Sequence, residues 1–246
     1  MTSDLRNESC RECDCGGNSD TKQIAACLML SAQLGAAAAL EGELHVTIRV
    51  RNYADIPRAT MVESERAAAL TFLQAGISIE WHECRVTPEQ SDFVCQAPIG
   101  PAELAIEVVP SETMRHRGLQ KETLGIAILP TEASEVFATK AFVCAPCVEE
   151  LVMAQGREME MRELTSAIFG SVIAHELGHL LGVRNHAAVG VMHMPWNRQE
   201  LTMAQQGELM FTSSEKSAIQ KQVRMRQMAA STLRPQPALL TSGLGQ

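Results

Sequence analysis

Residues 171–196 read SVIAHELGHLLGVRNHAAVGVMHMPW, and their reading decides the rest of the chain. Val172, Ile173, Leu177, Leu180 and Leu181 recur at helical spacing. His175 and His179 are four residues apart, so they stand one above the other on such a helix. Both imidazoles can then reach a single Zn²⁺ at about 2.0–2.1 Å. Glu176 projects beside that metal rather than onto it, where a carboxylate can accept a proton from a zinc-bound water. Gly182 follows as a residue free to take a positive φ, end the helix and turn the chain back.

The run His175-Glu176-Leu177-Gly178-His179-Leu180-Leu181-Gly182, with a further histidine and then Val191-Met192, resembles the metzincin zinc peptidases. Their motif is H-E-x-x-H-x-x-G-x-x-H with a methionine turn beneath the metal. That spacing lands on Asn185, a poor zinc ligand, and His186 comes one residue later. His186 is expected as the third ligand, with Asn185, His193 and Glu200 as alternatives. Met192 is expected as an apolar floor, because thioether sulfur is too soft to compete with imidazole for zinc. A wider arrangement resembles small exported bacterial proteins of this kind. Its pieces are Asn52-Tyr53-Ala54 at a strand end, a strand over 77–84 ending in Cys84, and Gly190-Val191-Met192 with Trp196.

The chain has 246 residues, 46% of them hydrophobic, enough for one domain with a sizeable core. A net charge of −8 argues against a nucleic-acid-binding face, which needs a basic stripe. Residues 24–40, IAACLMLSAQLGAAAAL, follow Lys22 and end in small residues, the layout of an export signal. An uncleaved membrane anchor is the alternative, although the segment is short for a span and Ser31 and Gln33 interrupt it. The polar stretch 1–20 is long and acidic for the region preceding such a signal. The expected organisation is a leader over 1–40, a metallopeptidase-like domain over 41–230 and a loose tail over 231–246. A secreted or periplasmic location follows, with a membrane partner only if the anchor is retained.

Of eight cysteines, Cys10, Cys13, Cys15 and Cys27 fall in the leader. Cys84 and Cys95 bracket a short polar loop, and Cys144 and Cys147 form C-A-P-C. The even remainder fits disulfides in an oxidising compartment. No strand-to-helix context is read around C-A-P-C, so a disulfide or plain thiols are preferred to a redox pair.

Period-2 alternation predicts a strand over 44–50, and a helix follows over 59–75, stopped by Gly76. Further strands are expected over 77–84, 104–109, 124–129 and 135–143, with 114–122 polar and flexible. The motif helix is expected over 158–181 after a break near Gly156. Helices follow over 199–210 and 214–228, the second capped by Ser213 or Ser214. The order is α+β: a twisted mixed sheet packed on the active-site helix, zincin- or metzincin-like, with C-terminal helices. Segment 135–143 is taken as the edge strand along the cleft, where an extended peptide can add.

The resemblance implies a zinc peptidase, an endopeptidase ahead of an exopeptidase, acting on peptides or proteins. Zn²⁺ is its cofactor, held by His175, His179 and His186, with Glu176 as general base. Asn185 at the expected ligand position motivates a rival, a zinc-stabilised binding module without turnover. A thiol-redox protein using Cys144 and Cys147 is a third. Tyr53, His193 and Arg198 are given no catalytic part, and nothing in the sequence specifies an oligomeric state.

Overall fold

Residues 43–246 form one compact unit, of which the structure, a computed structural model, describes residues 43–87, 92–130, 137–154 and 161–233. The leader with its 24–40 segment, the break near Gly156 and the tail from 234 onward lie outside the described residues. Among the described residues no helix is long and apolar enough to cross a membrane.

The chain opens with strand β1 (Leu44–Asn52), helix α1 (Arg58–Leu73) and strand β2 (Ile77–Cys84). Gly76 takes φ +72° between α1 and β2, which reverses the chain tightly enough for β2 to pair with β1 in parallel. A short helix α2 (Phe93–Gln96), strand β3 (Glu103–Val109), helix α3 (Ser111–His116) and strands β4 (Gly125–Ile128) and β5 (Lys140–Cys144) follow. Helices α4 (Ala145–Met153), α5 (Met161–Leu180), α6 (Arg198–Gln206) and α7 (Ser213–Leu233) complete the order. The sheet runs β2-β1-β3-β5-β4, parallel except for β4, which pairs antiparallel with β5. This is the α+β arrangement expected: a mixed five-stranded sheet against the helix that bears the motif, with helices at the C-terminal end.

The sheet and helices share one core. Ile48, Leu104, Ile106 and Val143 from the strands are fully buried, as are Ile168, Ile173, Leu177 and Leu181 from the motif region. Each such side chain contributes roughly 1.5–3 kcal/mol on burial. Helix α5 is enclosed on nearly all sides along its second half, because α1 crosses it at Gly170. A Cβ there would lie 2.5 Å from the Ser64 carbonyl oxygen. Arg226 of α7 reaches into the same core, 1% exposed, and donates to the carbonyls of Pro101, Ala138 and Leu180. It thereby ties the last helix to the end of the motif helix.

Several expectations need correction. Strand β5 is internal, buried from Ala141 to Cys144, and the edge strand is β4. The first part of the expected 135–143 strand falls partly outside the described residues. The stretch expected to be flexible holds the end of α3, whose Met114 is 2% exposed. A strand-to-helix junction does surround C-A-P-C: β5 ends at Cys144, which caps α4, and Pro146 sits in the first turn where its missing N–H is harmless. The pair is a disulfide, as is Cys84–Cys95. Cys144 is fully buried and Cys147 8% exposed, so the thiol-redox reading lacks an accessible sulfur. Helix α6 stops at Gly207 (φ +71°), short of residue 210. The cap of α7 is Thr212, whose N–H donates to Glu215 while its hydroxyl accepts from Glu215 N–H. That helix continues to Leu233, three residues into the expected tail.

Candidate metal centre

The helix stop builds the site. Gly182, at φ +97°, closes α5: its N–H donates to His179 O and Val183 N–H donates to Gly178 O, the paired bonds of a Schellman motif. This turn brings the Val183 carbonyl back over the helix, where it accepts from His179 Nδ1 at 2.6 Å. A second carbonyl, that of Val191, accepts from His175 Nδ1 at 2.8 Å. Val191 is fixed in turn by its N–H to Met210 O and by Gly190 at φ +83°, where a Cβ would lie 2.5 Å from that same oxygen.

Both Nδ1 atoms face carbonyls, so both carry the proton. Both Nε2 atoms then present lone pairs, and they face one another at 3.1 Å. Two lone pairs at that distance repel unless a cation takes both. Tetrahedral zinc with bonds of 2.0–2.1 Å sets two nitrogens about 3.3 Å apart, so the donor pair fits such an ion. His186 adds a third ring, its centroid 5.1 Å from His175 and 5.3 Å from His179. One ligand atom from each of the three lies within 4.8 Å of the others, a group able to hold a metal ion. Burial pushes the His175 imidazole down to about 4, helped by His179 and His186, and burial likewise lowers His179. Neutral imidazole, the form that binds metal, is thus the resting form at pH 7.

The other expected candidates sit elsewhere. His193 Nδ1 bonds Glu200 Oε1 at 2.9 Å, and Glu200 Oε2 accepts Asn197 N–H at 2.9 Å in a capping box that opens α6. Both groups are therefore engaged with each other. Asn185 is exposed and does not line the cleft. Met192 is fully buried and lies under the motif helix: a Cβ on Gly178 would meet its sulfur at 2.7 Å. Tyr53 and Arg198 do not border the cleft either.

Glu176 is 5% exposed and borders a cleft of about 450 Å³ that His175, His179, His186 and Trp196 also line. Its carboxylate accepts from Ala127 N–H, and burial pushes its pKa up to about 8. A divalent cation beside it would favour the ionised form and draw that value down. Strand β4 forms the facing wall through Gly125, Ile126 and Ala127. The absence of a side chain at Gly125 makes room for Glu176, since a Cβ there would lie 2.6 Å from Oε1. Gly125 and Ala127 were not singled out by sequence, because one glycine in a short apolar strand has no distinguishing mark. Arg184 was missed too; it brings a guanidinium to the cleft wall from the loop between Gly182 and His186.

No family model and no curated protein matches the sequence. Among solved structures, the fold is similar to the crystal structure of archaemetzincin from Methanopyrus kandleri, with 12% identity and a TM-score of 0.42. The likeness covers 76% of this chain and 99% of that one.

Proposed function

We propose that the protein is a zinc-dependent peptidase in which His175, His179 and His186 hold the metal and Glu176 is the general base. The observation that carries this reading is the pair of Nε2 lone pairs aimed at one point by two backbone carbonyls, with a third imidazole beside them. When bound, Zn²⁺ supplies Lewis acidity, polarising a carbonyl oxygen and lowering the pKa of a water toward about 7. Glu176 has the position to take that water's proton and return it to the departing amine. Ala127 N–H and the gap at Gly125 fix the carboxylate's direction, while Trp196 and Met194 dry the cleft around it. Arg184 offers positive charge to a developing oxyanion or to a substrate carboxylate.

The substrate is an extended peptide segment. Strand β4 is a sheet edge, and Gly125, Ile126 and Ala127 border the cleft. An open-ended strand edge favours internal cleavage, so endopeptidase activity is the expected form. The two disulfides support an exported protein, and a peptide or protein partner rather than nucleic acid.

Metal analysis combined with cleavage of an internally quenched peptide library tests the proposal. The expected result is one zinc at the three-histidine site and cleavage that a chelator abolishes and added Zn²⁺ restores. Bound zinc without cleavage of any library member would favour the binding-module reading instead. Product masses separate internal cuts from trimming at the ends.

A further inference from the structure

A second group of metal-ligating side chains lies at the opposite edge of the sheet from β4. His82 and Cys84 are two apart on β2 and therefore share a face of that edge strand. Cys95 of α2 faces them, and one ligand atom each from His82, Cys84 and Cys95 falls within 4.8 Å of the others. Asp92 stands beside the set, its Oδ2 2.8 Å from His82 Nε2. Two sulfurs and an imidazole nitrogen converge on one place, and the carboxylate partners the imidazole. Only the bond between Cys84 and Cys95 withholds the sulfurs from a metal.

We propose that reduction of the Cys84–Cys95 disulfide converts this cluster into a zinc site with Cys84, Cys95 and His82 as its protein ligands and Asp92 as the carboxylate that orients the imidazole. An external dithiol gives two electrons and two protons to the disulfide and is itself oxidised to a disulfide. The incoming Zn²⁺ then displaces the two thiol protons and binds the thiolates. Two thiolates and one imidazole match the donor preference of zinc.

Cys95 and the residues that follow it are held by contacts other than the S–S bond. Arg51 donates to Cys95 O at 2.6 Å, and Arg49 donates to Ala97 O at 2.6 Å and to Pro98 O at 3.2 Å. Asp92 Oδ1 accepts Cys95 N–H at 2.9 Å, which sets Oδ2 against the His82 ring. Cys95 thus remains beside Cys84 when the sulfurs part, at a Cα separation of 5.6 Å that a shared metal can bridge with little backbone movement. Disulfide and metal are alternative staples of the same loop, one for an oxidising and one for a reducing environment.

Cobalt titration of the full chain with Cys10, Cys13, Cys15 and Cys27 replaced by Ser, as prepared and after treatment with a phosphine reductant, tests this. The oxidised protein is expected to take one Co²⁺ without thiolate-to-metal charge-transfer absorption. The reduced protein is expected to take a second Co²⁺ with that absorption. Cys84→Ser/Cys95→Ser should abolish the band, while replacing Cys144 and Cys147 by Ser should leave it. His82→Ala, which keeps both cysteines and the disulfide, should weaken the second site roughly 100-fold, the loss of one ligand. A reduced protein with no thiolate band overturns the proposal. So does a band that survives Cys84→Ser/Cys95→Ser, or one that His82→Ala leaves at full affinity.

Discussion

Glu176 and Glu65 are both carboxylates almost shut off from solvent, and both are held in the protonated direction, to about 8 and about 7 respectively. Their surroundings differ. Glu176 has a backbone donor in Ala127 N–H, an open cleft in front of it and three imidazoles beside it. Glu65, on α1, has an oxygen with no hydrogen-bond partner among the described residues and faces a second carboxylate, Glu83, with Arg58 acting to lower its pKa. Burial of an acid is therefore not by itself a sign of chemistry. What separates the two is the charge each would meet: a metal cation held by the imidazoles would relieve Glu176, whereas Glu83 compounds the cost at Glu65.

The comparison is sharpest in activity. Glu176→Gln preserves shape and the Ala127 contact but removes the base, so cleavage should fall about 10³-fold while zinc content is unchanged. Glu65→Gln should leave the cleavage rate within experimental error of the parent. Equal losses in the two variants would mean that Glu176 acts through stability alone, and would end its assignment as the base.

A smaller effect is expected from the wall that aims Glu176. Gly125→Ala places a methyl group 2.6 Å from Oε1, so the carboxylate must move, and a displacement near 1 Å costs on the order of 10²-fold in rate. Because the nearest atoms to the added methyl group all belong to Glu176, the zinc stoichiometry should stay at that of the parent. Loss of zinc along with activity would show that the alanine disturbs the whole cleft rather than the base alone.

The two acids also mark how far the sequence could be read. His175, Glu176 and His179 announce themselves because helical spacing converts a pattern into a shared face. Gly182 adds the turn that brings His186 round, one residue later than the metzincin spacing. The facing wall was not legible in the same way. Strand β4 is four residues long, GIAI, and nothing local distinguishes it from β5, KAFVC, as the edge. That choice depends on which strand pairs with β3, a contact between residues more than thirty apart in the chain. Helix α4 was not foreseen, although Pro146 stands in its first turn, where a proline can start a helix. Nothing in the sequence marks Glu65 for burial, which the packing of α1 brings about.

The last and smallest expected effect concerns Glu65 and the pH dependence of stability. Its unfolded-state pKa is the ordinary 4.5, and burial, then Glu83, raises the folded value to about 7. Below pH 4.5 both states are protonated and the group contributes nothing to the slope. Between 4.5 and 7 the unfolded chain releases its proton while the folded one retains it, so stability falls as pH rises. Above 7 both are ionised and the loss is complete, on the order of 2 kcal/mol after allowance for solvent screening. Chemical denaturation of Glu65→Gln at pH 5 and pH 8 should show that this component of the slope has gone, with the variant more stable than the parent at pH 8. A parent and variant with parallel profiles would mean that Glu65 finds water or Arg58 when ionised, and that its burial carries no such penalty.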